Sequence, residues 1–128
     1  MDSYETQSEF LKALSHPTRL AILDILREGE QCVCHMEATL GLRQAYISQQ
    51  FTTLKNAGLI ESRRDDLNLY YRVLKPEVFN VLDALPSVTG VATKLPTHKH
   101  AQAECPCPKC NAKTDKALLQ ITTPQKTI

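Results

Sequence analysis

Val33-Cys34-His35-Met36-Glu37-Ala38-Thr39-Leu40-Gly41-Leu42-Arg43-Gln44-Ala45-Tyr46-Ile47-Ser48-Gln49-Gln50-Phe51-Thr52-Thr53-Leu54-Lys55-Asn56-Ala57-Gly58 carries two helical patterns, each closed by a glycine. Residues 33–40 read as a short helix closed by Gly41, where a left-handed cap is cheap for glycine. Residues 44–56 form a second helix, with Ile47, Phe51 and Leu54 on one face. Gln44, Ala45, Ser48, Gln49 and Thr53 fall on the other faces, small and polar, and Gly58 stops the helix. Two short helices joined at a glycine turn are a helix-turn-helix, in which the second helix enters the major groove of DNA.

Working toward the C-terminus, residues 59–64 and 69–74 are rich in branched and aromatic residues, and Asp65-Asp66-Leu67-Asn68 lies between them. This predicts a two-stranded β-hairpin, the wing of a winged helix. A last helix is expected over about residues 77–84, ahead of Pro86. Toward the N-terminus, residues 4–14 form one amphipathic helix that His16-Pro17 interrupts. Pro17 suits the first turn of the next helix, about residues 17–28. The expected architecture is mainly α with a small β-hairpin wing, a dimeric winged helix-turn-helix. Residues 1–85 form the DNA-binding and dimerisation domain, and residues 86–128 a flexible tail carrying Cys and His.

A chain of 128 residues fits one core. The net charge of +1 hides an asymmetry, because residues 1–85 carry 9 Lys and Arg against 12 Asp and Glu, and residues 86–128 carry 6 against 2. DNA binding therefore has to rest on the placement of individual side chains and not on overall basicity. No apolar run approaches the roughly 20 residues that cross a bilayer, and Met1-Asp2-Ser3-Tyr4-Glu5 is unlike a secretory signal. No membrane association and a cytoplasmic location are expected. In that reducing compartment five cysteines read as metal ligands or redox sensors before they read as disulfides.

Gln44, Ser48 and Gln49 can hydrogen-bond base edges, and Lys55 can meet phosphate. Arg63 and Arg64 on the wing can contact backbone or a narrow minor groove. Each polar residue taken singly is equally the wet face of a surface helix, but that reading does not explain helix, turn, helix and wing together. One recognition helix covers a half-site, so a homodimer on double-stranded operator DNA is expected. Tyr4, Phe10, Val78, Phe79 and Leu82 are its expected interface.

Leu14-Ser15-His16-Pro17-Thr18-Arg19-Leu20-Ala21-Ile22-Leu23, Ser48-Gln49-Gln50-Phe51 and Leu54-Lys55-Asn56-Ala57-Gly58-Leu59-Ile60 resemble the ArsR/SmtB family of metal-responsive repressors, over about residues 8–84. Arg43 departs from the Ser or Thr that many members place at the N-cap of the recognition helix. Glu30-Gln31-Cys32-Val33-Cys34-His35-Met36 resembles the Glu-Leu-Cys-Val-Cys-Asp-Leu box with which thiolate-dependent members bind arsenite, cadmium or lead. His35 stands where the box is acidic, as a further ligand or as an ordinary surface residue, and Met36 is read as core. The family's other site, built from Asp and His on the last helix, is unsupported, because Asp83 has no histidine beside it.

In an extended or first-turn conformation Cys32 and Cys34 can bring two sulfurs to one soft ion, and the nearby helix N-terminus favours thiolate. The alternative is two buried cysteines acting as small apolar residues. Cys105, Cys107 and Cys110, preceded by His98 and His100, are a second thiolate cluster, either completing the Cys32–Cys34 site or forming its own. Such a donor set suits As(III), Cd(II), Pb(II), Cu(I) or Zn(II). The resulting reading is a repressor released from its operator by a soft ion. A thiol redox or persulfide switch on the same fold and a metal-buffering or delivery protein are the rivals, while a thiol-dependent enzyme lacks any recognisable catalytic constellation.

Overall fold

His16 and Pro17 separate the first two helices by supplying what a helix start requires. His16 is extended (φ −162°, ψ 130°), and its Nδ1 accepts a hydrogen bond from the Thr18 amide at 3.1 Å, with Pro17 opening the next helix. Residues 1–95 are described by this computed structural model, so the expectations for His98, His100, Cys105, Cys107 and Cys110 lie outside the described residues. The elements run α1 (Asp2–Leu14), α2 (Pro17–Leu26), β1 (Gln31–Cys32), α3 (Val33–Leu40), α4 (Gln44–Asn56), β2 (Ile60–Asp65), β3 (Asn68–Val73) and α5 (Val78–Thr89).

Arg19 joins three of the helices. Its Nε donates to the Ala13 carbonyl at 2.6 Å, at the end of α1, and its Nη2 to that of Lys12 at 3.2 Å, which also accepts from the Ser15 amide. Its Nη1 donates to Gln50 Oε1 at 2.8 Å, which gives that buried glutamine of α4 a partner. Gly41, at φ 67°, ends α3 as a left-handed cap, and α4 follows after two residues.

The core gathers one face of every helix: Leu14, Ile22, Leu23, Leu26, Met36, Ile47, Phe51, Leu54, Val78 and Leu82, closed by Leu59, Ile60 and Tyr71 from the sheet. Phe51 stacks on Tyr71, ring centroids 3.8 Å apart and 28° between planes, which fixes the recognition helix to the middle strand.

Three features differ from the sequence expectation. The wing is a three-stranded antiparallel sheet in the order β1-β3-β2, not a hairpin alone, since Gln31 and Cys32 pair with Tyr71 and Tyr70. The last helix passes through Pro86 to Thr89 and ends at Gly90 (φ 79°), because a proline near the C-terminal end forfeits one intrahelical bond without ending the helix. Val78 and Leu82, expected at the subunit interface, are buried in the protomer's own core. A four-residue spacing puts both on one face of α5, the face turned to the core.

Phe51 is 1% exposed, so Phe51→Ala leaves a cavity between α4 and β3 and is expected to lower stability by about 3–5 kcal/mol. A urea titration checks this; an unfolding midpoint equal to that of the parent would show that the stacked pair does not secure α4.

Candidate nucleic-acid interface and thiol site

α4 turns its apolar side inward through Ile47, Phe51 and Leu54, with Gln50 tied to Arg19, and this leaves the opposite side to solvent. Gln44, Ala45 and Gln49 are exposed there, and Ser48 is half-buried with its carbonyl accepting from the Thr52 hydroxyl at 3.1 Å. Thr53 stands apart from them: it is half-buried and lines a groove between α1 and α4 with Phe10, Ala13 and Asn56. Thr52, one position earlier, lies on the exposed side. Arg43 is the N-cap of α4 and makes no side-chain capping bond, so α4 starts at Gln44 without a capping side chain. At the far end Lys55 Nζ donates to Ser62 Oγ at 3.4 Å, linking α4 to the first strand of the wing.

Of the two wing arginines, Arg64 is exposed opposite Leu69, whereas Arg63 is held. Its Nε and Nη2 donate to the two carboxylate oxygens of Glu30 at 2.9 and 2.7 Å, and its guanidinium lies 4.9 Å from the centroid of the Tyr70 ring. The hydrogen bonds to Glu30 are the main reason the Arg63 pKa is raised, so it is charged at any relevant pH. Tyr70 is itself opposite Arg63 on one side and opposite Cys32 on the other. Cys32, Tyr70 and Arg63 thus form one transverse row across the three strands, with Glu30 clasping its outer end.

Cys32 ends β1 and caps α3. It is 2% exposed, and its sulfur accepts the His35 amide N–H at 3.3 Å, an interaction that suits a thiolate at a helix N-terminus. Cys34, half-buried in the first turn of α3, packs against the Cys32 and Tyr70 pair. Cys32 carries a thiol. Two sulfurs are therefore neighbours at one strand-to-helix junction, but no group of three metal-ligating side chains occurs among the described residues. Met36 is fully buried in the core, as its position implied.

Sequence reasoning passed over Glu30 and Tyr70, whose roles depend on pairings 33 residues apart and on strand register. It also passed over Tyr46, 36% exposed on α4, whose hydroxyl lies 3.2 Å from His16 Nε2. An aromatic residue on the wet side of an otherwise small, polar helix face was the available signal.

The sequence profile of the family described as bacterial regulatory protein, arsR family, matches residues 16–62. The chain is 36% identical over 78 residues to the biofilm growth-associated repressor of Agrobacterium fabrum, covering 61% of this chain and 67% of that protein. Its fold superposes on the transcriptional repressor BigR from Xylella fastidiosa with a TM-score of 0.64 at 32% identity, over 72% of this chain and 93% of that one. It also superposes on the homodimeric winged helix-turn-helix DNA-binding domain Mb0332 from Mycobacterium bovis, with a TM-score of 0.62 at 29% identity, over 70% and 82% of the two chains. With a winged helix-turn-helix, a polar recognition face and relatives that are DNA-binding regulators and not enzymes, the chain belongs to the ArsR family of bacterial transcriptional regulators.

Proposed function

We propose that this protein is a homodimeric repressor that holds operator DNA through α4 and the wing and releases it when a soft ion binds Cys32 and Cys34. The observation that carries the reading is the row Cys32, Tyr70, Arg63, which joins the thiols to a wing arginine through one strand register. Gln44, Ala45, Ser48 and Gln49 read bases, while Lys55, Arg63 and Arg64 meet phosphate; Thr53, set back in its groove, supports the helix flank.

An ion drawing on the Cys32 sulfur competes for the lone pairs that accept the His35 amide, and so disturbs the start of α3 and the end of β1 together. The first leads into α4 and the second into Tyr70 and Arg63, so both DNA-facing elements feel one event. A coupling of about 1–3 kcal/mol changes operator affinity by about 5- to 150-fold, which suffices for regulation. Soft thiolate donors suit As(III), Cd(II), Pb(II), Cu(I) or Zn(II). Cys105, Cys107 and Cys110 are the proposed source of the remaining ligands. The dimer forms through α1 and α5, where Tyr4, Leu11 and Val88 are exposed and Val81 and Leu85 are half-buried beside the groove of Phe10 and Leu59.

A second reading has its own observation, the packing of Cys34 against Cys32 at one junction. Here two thiols give up two electrons and two protons to a peroxide, which leaves as water, and the disulfide replaces the ion as the releasing event.

The double variant Cys32→Ser, Cys34→Ser is expected to bind an operator duplex as the parent does and to stay bound when each ion is added, because serine is a poor ligand for soft ions. Fluorescence anisotropy with the ion panel beside hydrogen peroxide separates the readings. Release of the parent by peroxide alone selects oxidation, and release of the double variant at the parent's ion concentration ends both. One ion per protomer means that the tail cysteines share the site; two mean separate sites.

Glu30→Gln weakens the clasp on Arg63 and removes a negative charge beside the wing. Affinity for any duplex is expected to rise, and the slope of log affinity against log salt to steepen by about one phosphate contact. Unchanged slope across a salt series would mean that Arg63 does not reach DNA.

Val81→Glu with Val88→Glu places charge on the exposed side of α5. A shift from dimer to monomer in sedimentation is expected, with loss of operator binding; a persistent dimer would move the interface elsewhere.

A further inference from the structure

Tyr46 is the large side chain on the wet side of α4, and the way its hydroxyl is held is informative. The Thr18 amide donates to His16 Nδ1 at 3.1 Å, so that nitrogen carries no proton and neutral His16 holds its proton on Nε2. Nε2 is 3.2 Å from the Tyr46 hydroxyl oxygen, and the two rings are tilted by 50° with centroids 6.3 Å apart. Since Nε2–H donates, the Tyr46 oxygen accepts, and the phenolic hydrogen is left to donate outward. The N-cap of α2 therefore fixes both the place and the polarity of a hydrogen-bond donor on the recognition helix.

We infer that Tyr46 is a DNA-contacting residue, positioned by His16, whose hydroxyl donates to a phosphate oxygen at the wall of the major groove. This rests on the operator-binding reading above. At 100° per residue Ala45, Gln49 and Thr52 hold the middle of the exposed side of α4, and Tyr46 lies on its flank toward α2. The middle of a recognition helix faces base edges and its flanks face the sugar–phosphate walls, where tyrosine hydroxyls serve as neutral donors. His16 touches no DNA in this arrangement; it is a positioning residue, and it has a second task in capping α2.

The test compares Tyr46→Phe, His16→Asn and the double variant, using a fluorescein-labelled duplex from the protein's own promoter and a random duplex of equal length. Tyr46→Phe removes only the hydroxyl. Affinity is expected to fall about tenfold for both duplexes, with the salt slope unchanged, because a neutral donor releases no counterion. Asparagine is a good N-cap but too short to reach Tyr46, so His16→Asn is expected to reproduce that loss while keeping the thermal midpoint. The double variant should lose no more than either single one, since both remove the same contact. Equal affinity of Tyr46→Phe and parent overturns the inference, as does a loss confined to the operator, which would make the contact a base contact. Additive losses would overturn the positioning role of His16. If His16→Asn lowers the thermal midpoint, adding Tyr46→Phe to it decides the same question: a further tenfold loss overturns the positioning role and no further loss supports it. Failure of the parent to bind either duplex would instead strike at the operator-binding reading itself.

Discussion

The register of β3 sets the position of both the recognition helix and the wing. It is the middle strand, and its two adjacent tyrosines point to opposite sides of the sheet. Tyr71 goes inward and stacks on Phe51; its burial raises the phenol's pKa and so keeps it neutral. Tyr70 goes to the other side, between Cys32 and Arg63. A slip of one residue would exchange the two, removing the anchor of the recognition helix and separating the thiols from the wing at once. One strand thereby sets both the place of the DNA-reading helix and the route by which an event at Cys32 reaches the wing.

That arrangement explains why Arg63 is an adjustable element and contributes little to the fold. Its side chain is 50% exposed and that of Glu30 is 25% exposed, so water screens their ion pair and it adds little to stability. A contact so weak in the free protein is easily traded for a phosphate, and easily strengthened or loosened by a small movement of β1. Arg27 makes similar pairs, one with Asp24 in α2 and one with Asp83 that ties the end of α2 to α5. The stabilising work is done instead by Phe51, Ile47, Leu54 and their neighbours, all of which lie on the inner side of α4. Separating these tasks by helix face lets the outer face carry specificity with no cost to the core.

What could be read from sequence follows from how local each signal is. The bounds of α3 and α4 were legible because Gly41 and Gly58 both take positive φ at their ends, and the wing because Asp66, at φ 65°, turns between two branched and aromatic runs. β1 was not, since two residues show no alternation and only their partners Tyr71 and Tyr70, far along the chain, make them a strand. Val78 and Leu82 were misassigned for a related reason. The apolar arc of α5, from Val88 and Val81 round to Phe79, is wider than one contact needs, and composition alone does not say which part of it meets the core. The link between Tyr46 and His16 spans 30 residues and depends on how α2 crosses α4, so only the fold reveals it. Cys32 and Cys34 were legible as a pair, but not as unequal partners.

Their inequality follows from the junction they occupy. Within a helix, residues two apart point about 200° away from each other and cannot share an ion. Within a strand they share a face but stand roughly 6.5–7 Å apart. Here Cys32 is the last residue of β1 and Cys34 the second of α3, and the turn of the backbone between them brings Cys34 against the Cys32 and Tyr70 pair. The same turn gives the sulfurs different surroundings, one buried under the helix start and receiving an amide, the other half-buried. A Cys-x-Cys pair moved wholly into α3 would keep its spacing in sequence and lose the geometry. The strand-to-helix junction is therefore what makes the motif a site, and that junction exists only because β1 is paired to β3.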